Sequence, residues 1–565
     1  MSNVSKIKAR AKELNYNLKR SDASRAIVLQ TLAIEFMITE DEILAAINYV
    51  DVVAVKSAEK PQKAEKVDNR PVTSGRLCRG EEHREIIAGD CFIVTSAQNN
   101  TPVHADFIAN LEAFAKYKGA KIIVMPFLYN KNGFQNGEGQ DEIYYDASIT
   151  KYLQRESVWL GTGKKVAAMA FNILPTVKSP LGGMREAIGS AEALIIPHAT
   201  IAHECVPVLN AQYGRVVPAL YSTGTITQRN YIQQQAGHKA ENRHNFGVSF
   251  VEFNEHGQFW VRQIETDESG NFQDLLAQTI DGQVFEAEDV SVINWGDIHA
   301  EKIDENVAAA QWSCSQFDNT SMIDALRPKF QMMHDLLDFE ALNHHNRENH
   351  FHIFGNKVNG ASVSKDLHKV LNVLEESKRD FCHTIVVRSN HDDALDRWLA
   401  DGKYQPRLDP VNALLYYKLQ TKAYEHIEVN QFFDSLPISL KLVCRDDGLL
   451  PLIDSVKFLR ASQSFIVGGV ELGEHGHSGT NGSRGSPKQF AAMRMTTGHT
   501  HSPSIFGGCY TAGVTGKLAM GYNETGASSW QHAVVVQYAN GFRTIVHIKP
   551  VIPSTNDVTK LAFMA

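Results

Sequence analysis

Gly498-His499-Thr500-His501 sets two histidines one residue apart among small and polar neighbours. On a strand or tight turn both rings face one side, which suits metal ligation better than packing. Taken alone, the pair reads more readily as two loop histidines. Upstream residues change that balance. Asp297-Ile298-His299 follows the apolar run 292–295. Asp335-Leu336-Leu337-Asp338 sits among histidines. Asn390-His391-Asp392 follows the run 384–388, and His475-Gly476-His477 comes after 464–467. Clusters of Asp, Asn and His at strand ends are what a two-metal hydrolytic site needs. No thiolate joins them. The mixed, rather hard donor set favours manganese, with iron or zinc also accommodated, over a structural zinc knot.

Each cluster lies just past an apolar strand, so all can converge on one edge of a sheet. Helical segments such as 365–378 lie between. After His501 the chain returns to β structure, with 534–538 and 544–548 joined by an Asn540-Gly541 hairpin turn. The Gly- and Ser-rich stretch 478–486 reads as an active-site loop or a flexible one. Residues 291–565 therefore hold the chemistry. Residues 74–290 read as a separate α/β accessory domain. Within it, 91–95, a helix over 104–118 and 121–126 form a strand–helix–strand unit, and 248–253 with 259–263 form a hairpin around 254–257. The polar run 96–101 is either a turn leading into that helix or a ligand-facing loop. Residues 54–73 lack periodicity and read as a linker. Residues 1–53 read as a small basic helical unit, either docking on a phosphate backbone or mediating assembly.

A chain of 565 residues is too long for one core, so two or three domains are expected. Its 43% hydrophobic and 21% charged residues place it among soluble globular proteins. No apolar stretch is long enough for a transmembrane helix. The polar, basic start lacks the apolar core of a secretory signal. Seven scattered cysteines without a CxxC pair fit a reducing cytoplasm. A net charge of −8 means that any contact with nucleic acid is local. Neither GxGxxG nor GxxxxGK[ST] occurs, so no nucleotide cofactor is indicated.

In order, Gly296-Asp297-Ile298-His299, His334-Asp335-Leu336-Leu337-Asp338, Ser389-Asn390-His391-Asp392, Glu474-His475-Gly476 and Gly498-His499-Thr500-His501 resemble the five motifs of the calcineurin-like metallophosphoesterase superfamily. His334 and Ser389 stand where that family has glycine, and neither change removes a ligand. The resemblance covers roughly the C-terminal half and implies a β-sandwich with flanking helices there, in a mixed α/β (α+β) chain. The wider architecture, with Thr95-Ser96-Ala97-Gln98-Asn99-Asn100-Thr101-Pro102 and the loop 475–485, is similar to the pre-early host-takeover DNA nucleases of siphophages. That likeness implies non-specific degradation of double-stranded host DNA in the infected bacterial cytoplasm. It also makes a homo-oligomer and other phage or host proteins candidate partners.

The superfamily resemblance implies that Asp297, His299, Asp335 and His501 hold one metal. It assigns Asp335, Asn390, His475 and His499 to a second, with Asp335 bridging. His391 is then the general acid and Asp338 the carboxylate that orients it, with Asp392 as the alternative orienter. His477 competes with His475 as a ligand. Asn343, His344 and Arg484 are candidate substrate contacts. His198, His203 and Glu204 resemble a metal motif only loosely. The expected activity is a two-metal deoxyribonuclease. The alternatives are a phosphoesterase for a small nucleotide or phosphoprotein, and a non-catalytic DNA- or membrane-associated adaptor.

Overall fold

The computed structural model describes residues 85–131, 143–312, 321–343, 349–444, 447–479, 481, 493–521, 523–550 and 561–562, together with Leu32. The helical unit expected over 1–53 (Leu32 apart), the linker 54–73, His344, Arg484 and most of the Gly- and Ser-rich loop lie outside these residues. The chain divides into two units, 1–65 and 66–565. The second is a mixed α/β structure.

Six strands form one sheet in the order Lys457–Phe458, His383–Val386, Phe330–His334, Val292–Asp297, Ala533–Gln537 and Arg543–His547. The first four are parallel to one another, Ala533–Gln537 pairs antiparallel with Val292–Asp297, and Arg543–His547 pairs antiparallel with Ala533–Gln537. Parallel neighbours need long crossovers, and helices such as Val363–Ser377 supply them. That helix starts where the Ser362 hydroxyl accepts from the Lys365 N–H. It buries Val363, Leu367, Val370, Leu371 and Leu374, one stripe at helical spacing. The strands alternate faces. Ile293, Met333, Val386, Val534 and Val546 pack with the helices. Val292, Met332, Ile385 and Val387 pack instead with Val470 and Leu472, and Val535 and Ile545 with Ile505 and Tyr510. The strands bearing those last partners belong to a second sheet, so two sheets lie face to face with helices outside.

The second sheet has eleven strands. Six come from residues before 290, the last of them His203–Cys205. It pairs antiparallel with Ser504–Phe506, beside Cys509–Thr511, Met495–Thr497 and Val470–Glu471. The segment expected as a separate accessory domain thus shares a sheet with the C-terminal half, across the boundary expected at 290/291. Backbone pairing between strands 300 residues apart leaves no mark in local sequence.

The expected strand–helix–strand unit is present as Cys91–Gln98, Ala105–Lys118 and Lys121–Phe127, with the strands parallel. The hairpin is Gly247–Phe253 with Phe259–Glu265, its turn tied by Asn254 Oδ1, which accepts from the His256 and Gln258 N–H groups. The polar run 96–101 is part strand and largely buried. Ser96 donates to Gly224 O and Gln98 to Thr101 Oγ1. Its polar groups bind the protein itself, as buried polar groups must, so the ligand-loop reading is set aside. Among the described residues no helix is long and apolar enough to cross a membrane.

Candidate metal centre

Three neighbouring parallel strands deliver Asp297, Asp335 and Asn390 at or just past their carboxyl ends, where open α/β sheets gather ligands. The histidines come from the facing sheet. His475 follows Val470–Glu471, and His499 and His501 follow Met495–Thr497. The convergence expected on one sheet edge is therefore a meeting of two edges. The Gly498 N–H donates to His475 O and ties the two histidine loops together.

Asp297, His299, Asp335 and His501 are all buried and present donor atoms within 4.8 Å of one another. His299 Nε2 and His501 Nε2 face each other at 3.1 Å, and Asp297 Oδ2 lies 2.9 Å from His501 Nε2. Asp335 Oδ2 is 3.8 Å from His299 Nε2 and 3.3 Å from His475 Nε2. His475 Nε2 is also 3.0 Å from Asn390 Oδ1, and its ring stands 5.1 Å from that of His499. One oxygen of Asp335 thus faces both donor groups. His477 meets only the rings of His475 and His499, at 5.4 and 6.1 Å, among the contacts described for it. The geometry favours His475 as the ligand.

The backbone here is forced. His299, Asp335, His499 and His501 have φ of 50°, 43°, 74° and 55°. Such left-handed conformations cost side-chain-bearing residues about 1–3 kcal/mol each and survive only where the surroundings impose them. The His299 N–H donates to Asp335 O, and the His499 N–H to Asp297 Oδ1 at 3.0 Å. A Cβ on Gly498 would collide with that same Asp297 oxygen, so glycine is required there.

Asp338 Oδ1 lies 2.9 Å from His299 Nδ1 and 3.1 Å from His391 Nδ1. Lys302 Nζ is 3.0 Å from the other oxygen. The Asp338 N–H donates to Glu301, which fixes the loop. Asp338 therefore turns the Nε2 of His299 toward the cluster and holds His391 beside it. Asp392, the alternative orienter, is committed elsewhere. It accepts from the Leu337 N–H and the Ser389 hydroxyl, so Ser389 has a use that a glycine could not fill. His334 lies against His475, with ring nitrogens 3.4 Å apart. Asn343 is buried at the end of the turn Glu340–Leu342. His198 and His203 bond backbone carbonyls of Leu174 and Leu220 and join no metal-holding group among the described residues.

Electrostatics fit a cation. Burial pushes the Asp335 carboxyl up, but His475 and His391 outweigh it and hold it well below the usual range. Asp338 is held low against burial by its bonds to His299 and His391. Burial brings His499 down to about 4 and lowers His501, leaving neutral imidazoles fit to ligate. His391 is pulled down by burial but raised to about 10 by Asp335 and Asp338. Asp297 and Asp335, with the converging nitrogens of His299 and His501, could hold a metal ion.

Over 505 residues, 88% of this chain and 88% of the relative, the sequence is 45% identical to Protein A1 of Escherichia phage T5. The chain belongs to the Protein A1 family. No family model and no solved structure matches it. In this A1-family chain, three residues beside the cluster carried no sequence signal. Trp530 packs edge-on against His501 at 4.0 Å, and Glu301 and Lys302 brace Asp338. None lies in a ligand-like cluster, and only the folded chain brings Trp530 across 29 residues to His501.

Proposed function

We propose that this chain is a metal-dependent phosphodiesterase of the calcineurin-like kind that hydrolyses double-stranded DNA without strong sequence preference, in the cytoplasm of a phage-infected bacterium. The observation that carries the reading is Asp335 Oδ2, placed between the His299 and His475 nitrogens. Two cations 3.5–4 Å apart need such a shared anion. The two facing sheets with outer helices agree with the superfamily architecture, and kinship with a phage protein agrees with a role in infection.

Divalent cations, manganese by the donor set, would supply Lewis-acid polarisation of the phosphoryl group and acidify an attacking water. The protein's own part is separable. Asn390, His391 and His499 are the half-buried members, so substrate approaches from their side. His391, held through Nδ1 by Asp338, would donate a proton to the leaving oxygen.

The deciding experiment gives the manganese-loaded full-length protein plasmid DNA, RNA, a nucleotide, a phosphopeptide and a chromogenic phosphodiester. Cleavage of plasmid DNA is expected, and digestion of supercoiled and linear forms separates internal from end-dependent cutting. Rapid cleavage of the nucleotide or phosphopeptide with every DNA form left intact would replace this reading with a small-substrate phosphoesterase. Inertness toward all of them would leave the adaptor.

A further inference from the structure

A cavity of about 340 Å³ lies where the eleven-stranded sheet meets the C-terminal hairpin. Trp530 belongs to its wall and also packs on His501, so the cavity adjoins the metal cluster without containing any of its ligands. Its volume falls in the range that holds small ligands.

The lining is cationic and aromatic at once. Lys165, Arg215 and Lys549 face a single carboxylate, Glu192, among the described lining residues. Glu192 stands 3.8 Å from Lys165. Phe259 and Trp530 supply flat apolar surface. The Lys549 ammonium sits 4.0 Å from the centre of the Phe259 ring and donates to Phe259 O. Arg215 and Val216 are exposed, so the cavity opens to solvent. An independent sign is His547. It is 4% exposed, lines the cavity, and its Nε2 has no hydrogen-bond partner. A buried ring nitrogen without a partner is costly, and a ligand's polar group would relieve it.

We propose that this cavity is a nucleotide subsite that takes a nucleoside monophosphate, its base against Trp530 and Phe259 and its phosphate among Lys165, Arg215 and Lys549. Aromatic faces take any base by stacking, and cations take the phosphate. Burial lowers Lys549 to about 8, with Glu192 opposing, and a bound phosphate would secure its charge. The assignment goes beyond the hydrolytic reading, because binding here needs no metal and no bond cleavage.

The test uses the full-length protein stripped of metal with a chelator. Deoxyadenosine monophosphate, deoxyadenosine and inorganic phosphate are titrated in turn by calorimetry. The nucleotide is expected to bind more tightly than either of its parts. Arg215→Ala and Lys165→Ala should each weaken it about tenfold, the worth of one charge-assisted hydrogen bond. Val216→Trp, at the exposed rim, should block it, and Asp335→Asn should leave it unchanged. Phosphate binding as tightly as the nucleotide would overturn the base contacts. Binding lost in Asp335→Asn but kept in Arg215→Ala would move the nucleotide to the metal cluster and overturn the subsite, as would no binding at millimolar nucleotide. Failure of the DNA cleavage assay would bear on none of these results.

Discussion

At the scale of single residues, Asp335 and His391 divide binding from chemistry. Asp335→Asn removes the one charge that both donor groups share. Activity should vanish and bound metal should fall to a small fraction of that in the parent protein, as measured by elemental analysis. Two full metal equivalents in an inactive variant would end the bridging assignment. His391→Ala leaves the donors in place, because the ring hangs on Asp338 rather than on the cluster. Metal content should hold while turnover on DNA drops about 10²–10⁴-fold. A p-nitrophenyl diester, whose leaving group needs little protonation, should be partly spared. Equal losses on both substrates would remove His391 as the acid. The five motif clusters were legible in the sequence because ligands must be particular residue types. The preferences for Asp338 over Asp392 and for His475 over His477 rested there on resemblance and position alone, and the side-chain directions agree with both.

At the scale of elements, the loops after the strands carry the strain. Gly498→Ala would drive a methyl group into the Asp297 carboxylate. Metal affinity should fall by about tenfold or more while the protein stays folded, readable as a competition against a fluorescent chelator. Unchanged affinity would mean that the 498–501 turn gives way freely. Helix Val363–Ser377 holds a second, testable cost. Burial raises Asp366 to about 7 from an ordinary value of 3.8, although the Ala341 N–H opposes the rise. The folded state then keeps a proton that the unfolded chain loses above about pH 4. The stability from that proton is full below pH 4 and is lost as pH rises through 7. Asp366→Asn should therefore gain roughly 1–3 kcal/mol over the parent on going from pH 5 to pH 8. Denaturant midpoints at the two pH values would show it, and a gap that does not change with pH would refute it. Helix and strand periods announced 365–378, the pair 248–253 with 259–263, and the pair 534–538 with 544–548, whose apolar residues recur at local spacing.

At the scale of the whole molecule, the basic residues of 1–25 and the acidic total, net −8, suggest a division of labour. Deleting 1–53 should weaken DNA binding and flatten its salt dependence, since each lost phosphate contact removes counterion release. Hydrolysis of a small diester should persist. An unchanged salt slope together with a changed assembly size would make the segment an oligomer contact instead. What the sequence determined by itself was the donor inventory and the strand or helix character of most segments. These follow from residue type and from periods of two or 3.6 residues. The tertiary structure alone decided the rest. It joined His203–Cys205 to Ser504–Phe506 and so fused two expected domains through one sheet. It set His475 and His501 from one sheet against Asp297, Asp335 and Asn390 from the other. It also brought Lys165, Arg215, Trp530 and Lys549 around one cavity. Contacts across hundreds of residues depend on which sheet edges pair and which faces pack, and no local pattern encodes that choice.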